Sequence, residues 1–168
     1  MLYQLRSDKF YSIVPKPEWF IYVLFTDQIR RSDHPCSLAD TGVFYDKNLK
    51  LKHDMNFSIL YTIKDYKFNS YDTKNIDYTL SVINEMKKEI IKHWGNDIKY
   101  FILYYNNNDD IWDYMKPILE NNGFQAYSIE DFTDKDLRSY EYKTFDKFHP
   151  SEYAWDILTP AIVNKLKL

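Results

Sequence analysis

The sequence predicts an α/β domain with a parallel sheet, and three observations carry that expectation. Trp19 to Phe25 (WFIYVLF) is an unbroken apolar, β-rich run, and Ile98 to Tyr105 is nearly so. Such runs suit strands covered on both faces, as in parallel sheets. Phe124 to Ser128 reads as a third strand, and apolar stripes at helical spacing separate and follow these runs. Strand and helix in alternation is the pattern of a parallel α/β layer. The length of 168 residues, with 45% hydrophobic and 28% charged side chains, fits one domain spanning 1–168 with its own core.

The elements follow in order. Leu2, Leu5, Phe10, Ile13 and Val14 stand at roughly helical spacing, and Pro15 and Pro17 end the pattern. The Trp19 run is the first strand. Gly42 to Lys52 reads as two short segments around a turn at Asp46-Lys47-Asn48, and Phe57, Ile59, Tyr61 and Ile63 alternate like another strand, so a small β insertion is expected around 42–66. From Asn75 the period changes: Ile76, Leu80, Ile83, Met86, Ile90 and Trp94 form one stripe, with Gly95 placed to cap its end. Beyond the second strand lies the polar cluster Asn106 to Asp110, with Asp109 or Asp110 expected as N-cap of a helix carrying Ile111, Met115, Ile118 and Leu119 and ending at Gly123. Ser151 is a suitable N-cap for a last helix bearing Ala154, Leu158, Ile162 and Leu166, which Pro160 should kink.

Composition narrows the function. Twenty-two basic against 25 acidic side chains leave a net charge of −3, which argues against a dedicated nucleic-acid surface. No apolar run approaches membrane-spanning length and the N-terminal residues are polar, so neither a transmembrane helix nor a signal peptide is expected and the default location is cytoplasmic. A single cysteine, Cys36, excludes an internal disulfide. Three scattered glycines cannot build a phosphate loop, and no cofactor is expected.

In an open parallel sheet, functional groups gather beyond the carboxyl ends of the strands. The segments to watch are therefore Thr26 to Arg31, Asn106 to Asp110 and the stretch between Ser128 and Ser151. The last of these ends Asp146-Lys147-Phe148-His149-Pro150-Ser151. A carboxylate three residues ahead of a histidine on a loop can fold back onto the imidazole N–H, fixing the tautomer and leaving the other nitrogen free as a base. The same spacing also suits a loop in which Asp146 only caps local backbone.

The tail DKFHPSEYAWDILTPAIVNKL, following an α/β pattern, resembles the closing block of the SGNH (GDSL-type) hydrolase family, in which an Asp-x-x-His-Pro segment supplies two members of a Ser-His-Asp triad. PKPEWFIYVLFTDQIRR resembles the family's third strand and following turn, and YFILYYNNND and NNGFQAYSIED its fourth and fifth strands; the resemblance covers the chain from about residue 1, but only the DxxHP block is specific. It implies a three-layer α/β/α sandwich with a flavodoxin-like sheet of order 2-1-3-4-5. It also implies His149 as general base, Asp146 as its orienter, and a small acyl or acetyl ester, on a carbohydrate or not, as substrate.

The departures are informative. The family's Gly-Asp-Ser nucleophile block and the block contributing a glycine donor are both absent, Met1 already lying in what resembles the helix before the third strand. Ser7 and Ser12 fall within a helix pattern and are not nominated. Where the family offers an Asn side chain to the oxyanion, the best register places Asp27. Losing one oxyanion donor costs about 3–4 kcal/mol, and a carboxylate about 4 Å from the developing charge adds roughly 4 kcal/mol of repulsion at an effective dielectric of about 20. Either the register is off by one, or Asp27 is protonated, or the site stabilises no oxyanion. Arg30 and Arg31 neutralise Asp27 or decorate a solvated turn.

The remaining candidates are thinner. Asp33, His34 and Cys36 are too few and too close for a tetrahedral metal site, and no metal is expected. His53 stands alone, and His93 beside Lys92 reads as surface. Tyr100, Tyr104, Tyr105, Tyr140, Tyr142 and Tyr153 line a ligand cleft or fill core. Without the family's first strand the Trp19 run becomes a sheet edge, which predicts a homo-oligomer or a complementing N-terminal chain, unless residues 42–66 fill the vacancy. A non-catalytic ligand-binding or partner-scaffolding module is the alternative function.

Overall fold

The structure, a computed structural model, describes residues 2–30, 43–45, 48–53, 73–105, 109–144 and 149–168. Three strands, β1 (Trp19–Leu24), β4 (Lys99–Tyr104) and β5 (Gln125–Ser128), form an all-parallel sheet in the order β1-β4-β5, pairing Trp19 with Lys99 and Phe101 with Gln125. Two shorter strands, β2 (Val43–Tyr45) and β3 (Leu51–His53), make a separate antiparallel hairpin with Tyr45 opposite Leu51. The expected hairpin is therefore present; the strand expected over Phe57 to Ile63 lies outside the described residues. The hairpin loop needs a left-handed residue, and Leu49 supplies it at φ 57°. The Arg6 guanidinium donates to the Leu49 carbonyl at 2.6 Å and pairs with Glu85 at 3.0 Å and Glu89 at 3.5 Å.

The N-terminal stripe forms two short helices rather than one: α1 (Leu2–Leu5) and α2 (Asp8–Ile13), broken at Ser7, whose φ and ψ of −102° and 120° are extended. The apolar spacing is served as far as Phe10, which packs against the same core as Leu2 and Leu5. Leu2 and Leu5 are buried, whereas Ile13 is 68% exposed.

After β1 come the short α3 (Thr26–Arg30) and, past the hairpin, α4 (Thr73–Trp94). Ile76, Leu80, Ile83, Met86 and Ile90 of α4 are all buried, as their period predicts. The helix ends at Gly95, which takes φ +89° and donates its N–H to the Ile91 carbonyl. Between β4 and β5 runs α5 (Asp109–Asn121), which buries Ile111, Trp112, Met115 and Leu119. Asp109 and Asp110 lie inside its first turn instead of preceding it, a position that the helix dipole makes favourable for acidic residue types.

The last helix, α6 (Glu152–Leu166), runs through Pro160 as one element, and Ser151 Oγ accepts the Ala154 N–H at 3.3 Å as expected of an N-cap. Pro160 and Asp156 are both exposed, so water is available to the carbonyl that loses its helical donor.

Alternation along β4 divides the core. Tyr100, Ile102 and Tyr104 face the buried side chains of α1, α4 and α5, whereas Leu103 and Tyr105 face Ala154, Leu158 and Ile162 of α6. Helices thus cover both faces, and β4 between its two neighbours is buried from Tyr100 onward. β1 is different. Like β5 it is an outer strand among the described residues; its side chains are mostly half-buried, and Trp19 is 40% exposed. Phe20 and Tyr22 pack on one cluster and Ile21 and Val23 on the other, so this run is covered on both faces as its composition suggests, while among the described residues it also stands at a sheet edge.

Candidate functional site

Two ends of the sheet are distinguished by where α6 begins and finishes. The ring of Tyr105, just past β4, lies 5.4 Å from that of Phe25, just past β1, and 5.9 Å from that of Trp155 in the first turn of α6. The start of α6 therefore sits at the carboxyl rim. Its other end, at Lys167 and Leu168, borders a groove of about 380 Å³ with Lys16, Trp19, Asp97 and Lys99, at the amino ends of β1 and β4. Lys16 Nζ pairs with Asp97 there at 2.6 Å, and that ammonium holds the Asp97 carboxyl below its usual range.

At the carboxyl rim, the segment from β5 to α6 is anchored stepwise. Asp131 Oδ2 accepts the Ser128 N–H at 2.8 Å, closing a tight turn that buries Ile129. Leu137 is a fully buried lone apolar residue in a polar stretch, and its carbonyl accepts the Tyr105 hydroxyl at 3.0 Å. Burial above all pushes the Tyr105 phenol up to about 12, with Asp136 adding to the rise and Arg138 opposing it. Arg138 pairs with Glu130 and with Asp136.

His149 stands two residues before the Ser151 cap. Thr144 donates its N–H to the His149 carbonyl at 2.8 Å, Ser151 donates its N–H to the Tyr142 carbonyl at 2.7 Å, and Lys143 bridges Pro150. These contacts pinch the segment at its base and fix the backbone of His149, while the residue itself is exposed. Asp146 lies outside the described residues. Around the pinch, Tyr142 is buried with its ring stacked on Tyr153 (5.4 Å, 17°), and Tyr153 and Tyr140 are 56% and 73% exposed.

Asp27 is the second residue of α3, immediately beyond β1, with its side chain and that of Arg30 outside the described set, as is Arg31. Its neighbours are described. Thr26 is buried with Oγ1 3.2 Å from the Tyr104 hydroxyl, and Gln28 Oε1 accepts the Phe25 N–H at 3.3 Å. The backbone thus carries both Asp27 and His149 at the carboxyl rim, the place where an open parallel sheet presents its groups.

Other candidates fall elsewhere. Asp33, His34 and Cys36 lie outside the described residues, as does the side chain of His53. His93 is not simply surface: its ring stacks on Tyr11 at 3.7 Å. Tyr100, Tyr104 and Tyr105 are core residues, Tyr104 stacked on Trp112 at 4.9 Å. Among the described residues no three His, Cys, Asp or Glu side chains group to hold a metal, and no helix is long and apolar enough to cross a membrane. Leu137, Arg138 and Trp155 were not singled out by sequence. The one usable signal was an isolated leucine inside Asp134-Lys135-Asp136 and Arg138-Ser139. No family model, no curated protein and no solved structure matches this chain.

Proposed function

We propose that the chain is built on the SGNH (GDSL-type) hydrolase framework, and that His149 is the general base of an ester-hydrolysing site, oriented by Asp146. The observation that carries this reading is an exposed His149 on a backbone pinned at the start of α6, at the carboxyl rim of a parallel sheet. The order β1-β4-β5, with α4 and α5 packed on one face and α6 on the other, is also what the last three strands of a 2-1-3-4-5 sheet would show.

In the proposed chemistry the imidazole accepts the proton of a serine hydroxyl as its oxygen attacks the acyl carbon, and returns it to the departing alkoxide. Water then attacks the acyl-enzyme through the same base. No Gly-Asp-Ser occurs in the 168 residues, so turnover needs a nucleophile that these residues do not carry, and the chain alone is an incomplete hydrolase. The substrate class is a small acyl or acetyl ester, free or on a carbohydrate.

The test has two arms. A downfield imidazole N–H proton resonance is expected in the wild type and absent from both Asp146→Asn and His149→Ala. Turnover of p-nitrophenyl acetate by the chain together with any co-purifying Gly-Asp-Ser protein is expected to fall at least ~100-fold in His149→Ala. No such resonance, with turnover unchanged in His149→Ala, overturns the reading. A second reading, a non-catalytic ligand-binding or scaffolding module, draws on the exposed rings of Tyr140 and Tyr153. Carbohydrate binding without turnover, lost in Tyr153→Ala, would favour it.

A further inference from the structure

The hydrogen-bond phase of β1 is set by two bonds at its ends: Lys99 N–H to the Glu18 carbonyl, and Tyr105 N–H to the Leu24 carbonyl. With Trp19 level with Lys99 and evenly spaced parallel bonding, Phe20, Tyr22 and Leu24 turn their backbone groups toward β4. Trp19, Ile21 and Val23 turn theirs outward, where nothing among the described residues pairs with them. The strand carries none of the usual protections of an open edge. WFIYVL has no charge, no proline and no bulge, and its side chains are mostly half-buried.

We infer that a second copy of this chain occupies the edge, through antiparallel β1–β1 pairing across a twofold axis at Ile21. The phase is self-complementary in that register. Ile21 meets Ile21 of the other copy, and Trp19 meets Val23, each as a hydrogen-bonded pair that uses the outward groups; a shift by one residue loses the match entirely. The side chains agree as well. Phe20 falls opposite Tyr22 of the second copy on the face that packs against α4, and Trp19 opposite Val23 on the face that packs against α6. Aromatic and β-branched cross-strand pairs are the favourable ones. The result is one continuous sheet, β5-β4-β1 followed by β1-β4-β5 of the partner. This inference uses neither His149 nor Asp146, but it competes with a complementing nucleophile-bearing chain for the same edge, so a β1–β1 dimer and strand complementation are distinguishable outcomes.

The full chain is expected to be a dimer by light scattering at micromolar concentration, with slowly exchanging Ile21 and Val23 amides whose protection falls on dilution. In a Cys36→Ser background, Phe20→Cys mixed with Tyr22→Cys should oxidise to a disulfide-linked dimer, because a non-hydrogen-bonded antiparallel pair brings the sulfurs within bonding reach. Either variant alone should give at least ~10-fold less. Ile21→Pro removes an outward N–H without touching the β1–β4 ladder and should weaken the dimer at least ~10-fold. A monomer throughout the micromolar range overturns the inference, whether the Ile21 and Val23 amides exchange freely or are protected by another segment of the same chain. A dimer with freely exchanging Ile21 and Val23 amides, or one in which the mixed cysteines do not link, equally overturns it. If Ile21→Pro fails to fold, wild-type exchange and the cysteine pair still decide.

Discussion

Replacing Tyr105 with Phe separates two effects of one hydroxyl. At pH 7 the variant loses the 3.0 Å bond to the Leu137 carbonyl, on a residue that is fully buried. Orphaning a buried acceptor costs about 1–3 kcal/mol, so a loss of about 1–2 kcal/mol is expected. Alkali acts in the opposite sense. The Tyr105 phenol sits at about 12 in the folded chain against an ordinary value of 10.0. Above pH 10 the unfolded chain therefore releases a proton that the folded chain retains, and wild-type stability falls as pH rises toward 12. Tyr105 is 6% exposed, so water screens little of this penalty, which amounts to about 1 kcal/mol at pH 11. The Tyr105→Phe variant has no phenol and no such penalty. Urea unfolding at pH 7 and pH 11 should show the deficit of Tyr105→Phe shrinking to roughly half or less. Tyr11 is also pushed up to about 12, by burial first and Glu89 next, but it titrates alike in both proteins and cancels. An equal deficit at the two pH values, or none at pH 7, refutes the reasoning.

Three further substitutions test the packing. Tyr100→Phe removes a buried hydroxyl with no hydrogen-bond partner among the described residues while keeping the ring under Lys87, so urea unfolding should show no loss, or a gain of about 0.5–1 kcal/mol. Gly123→Ala should cost about 1–2 kcal/mol, because Gly123 takes φ +75° and the added carbon would meet Lys87 Nζ at 2.8 Å. That ammonium donates to the Asn122 and Gly123 carbonyls, so the Gly123→Ala cost measured in a Lys87→Met background should be smaller. Ser151→Ala should lose about 1 kcal/mol by thermal or urea unfolding, with Ser151→Asp recovering most of it.

What the sequence made legible depended on whether a residue's role is periodic. α4 and α5 repeat a buried side chain each turn and end at glycines with positive φ, so both could be read directly. Leu2 to Val14 offers too few turns for its period to reveal the break at Ser7. The two covered faces of β1 were legible because an unbroken apolar run requires them; what lies beside the strand was not, since composition records how apolar a strand is and not whether a neighbour pairs with it. At the rim, the placement of His149 just ahead of a capped helix was legible from His149-Pro150-Ser151. The anchoring of that region was not. Tyr105 bonds a main-chain carbonyl of Leu137, and a contact to backbone leaves no pattern in side-chain identities.

The pinched base beneath His149 has an evolutionary corollary. Because the bonds from the Thr144 N–H to the His149 carbonyl and from the Ser151 N–H to the Tyr142 carbonyl involve main-chain atoms alone, the side chains of Thr144 and His149 can change at little cost to the helix that follows. A position so insulated lets reactive groups be exchanged, gained or discarded while the body of the molecule keeps its shape.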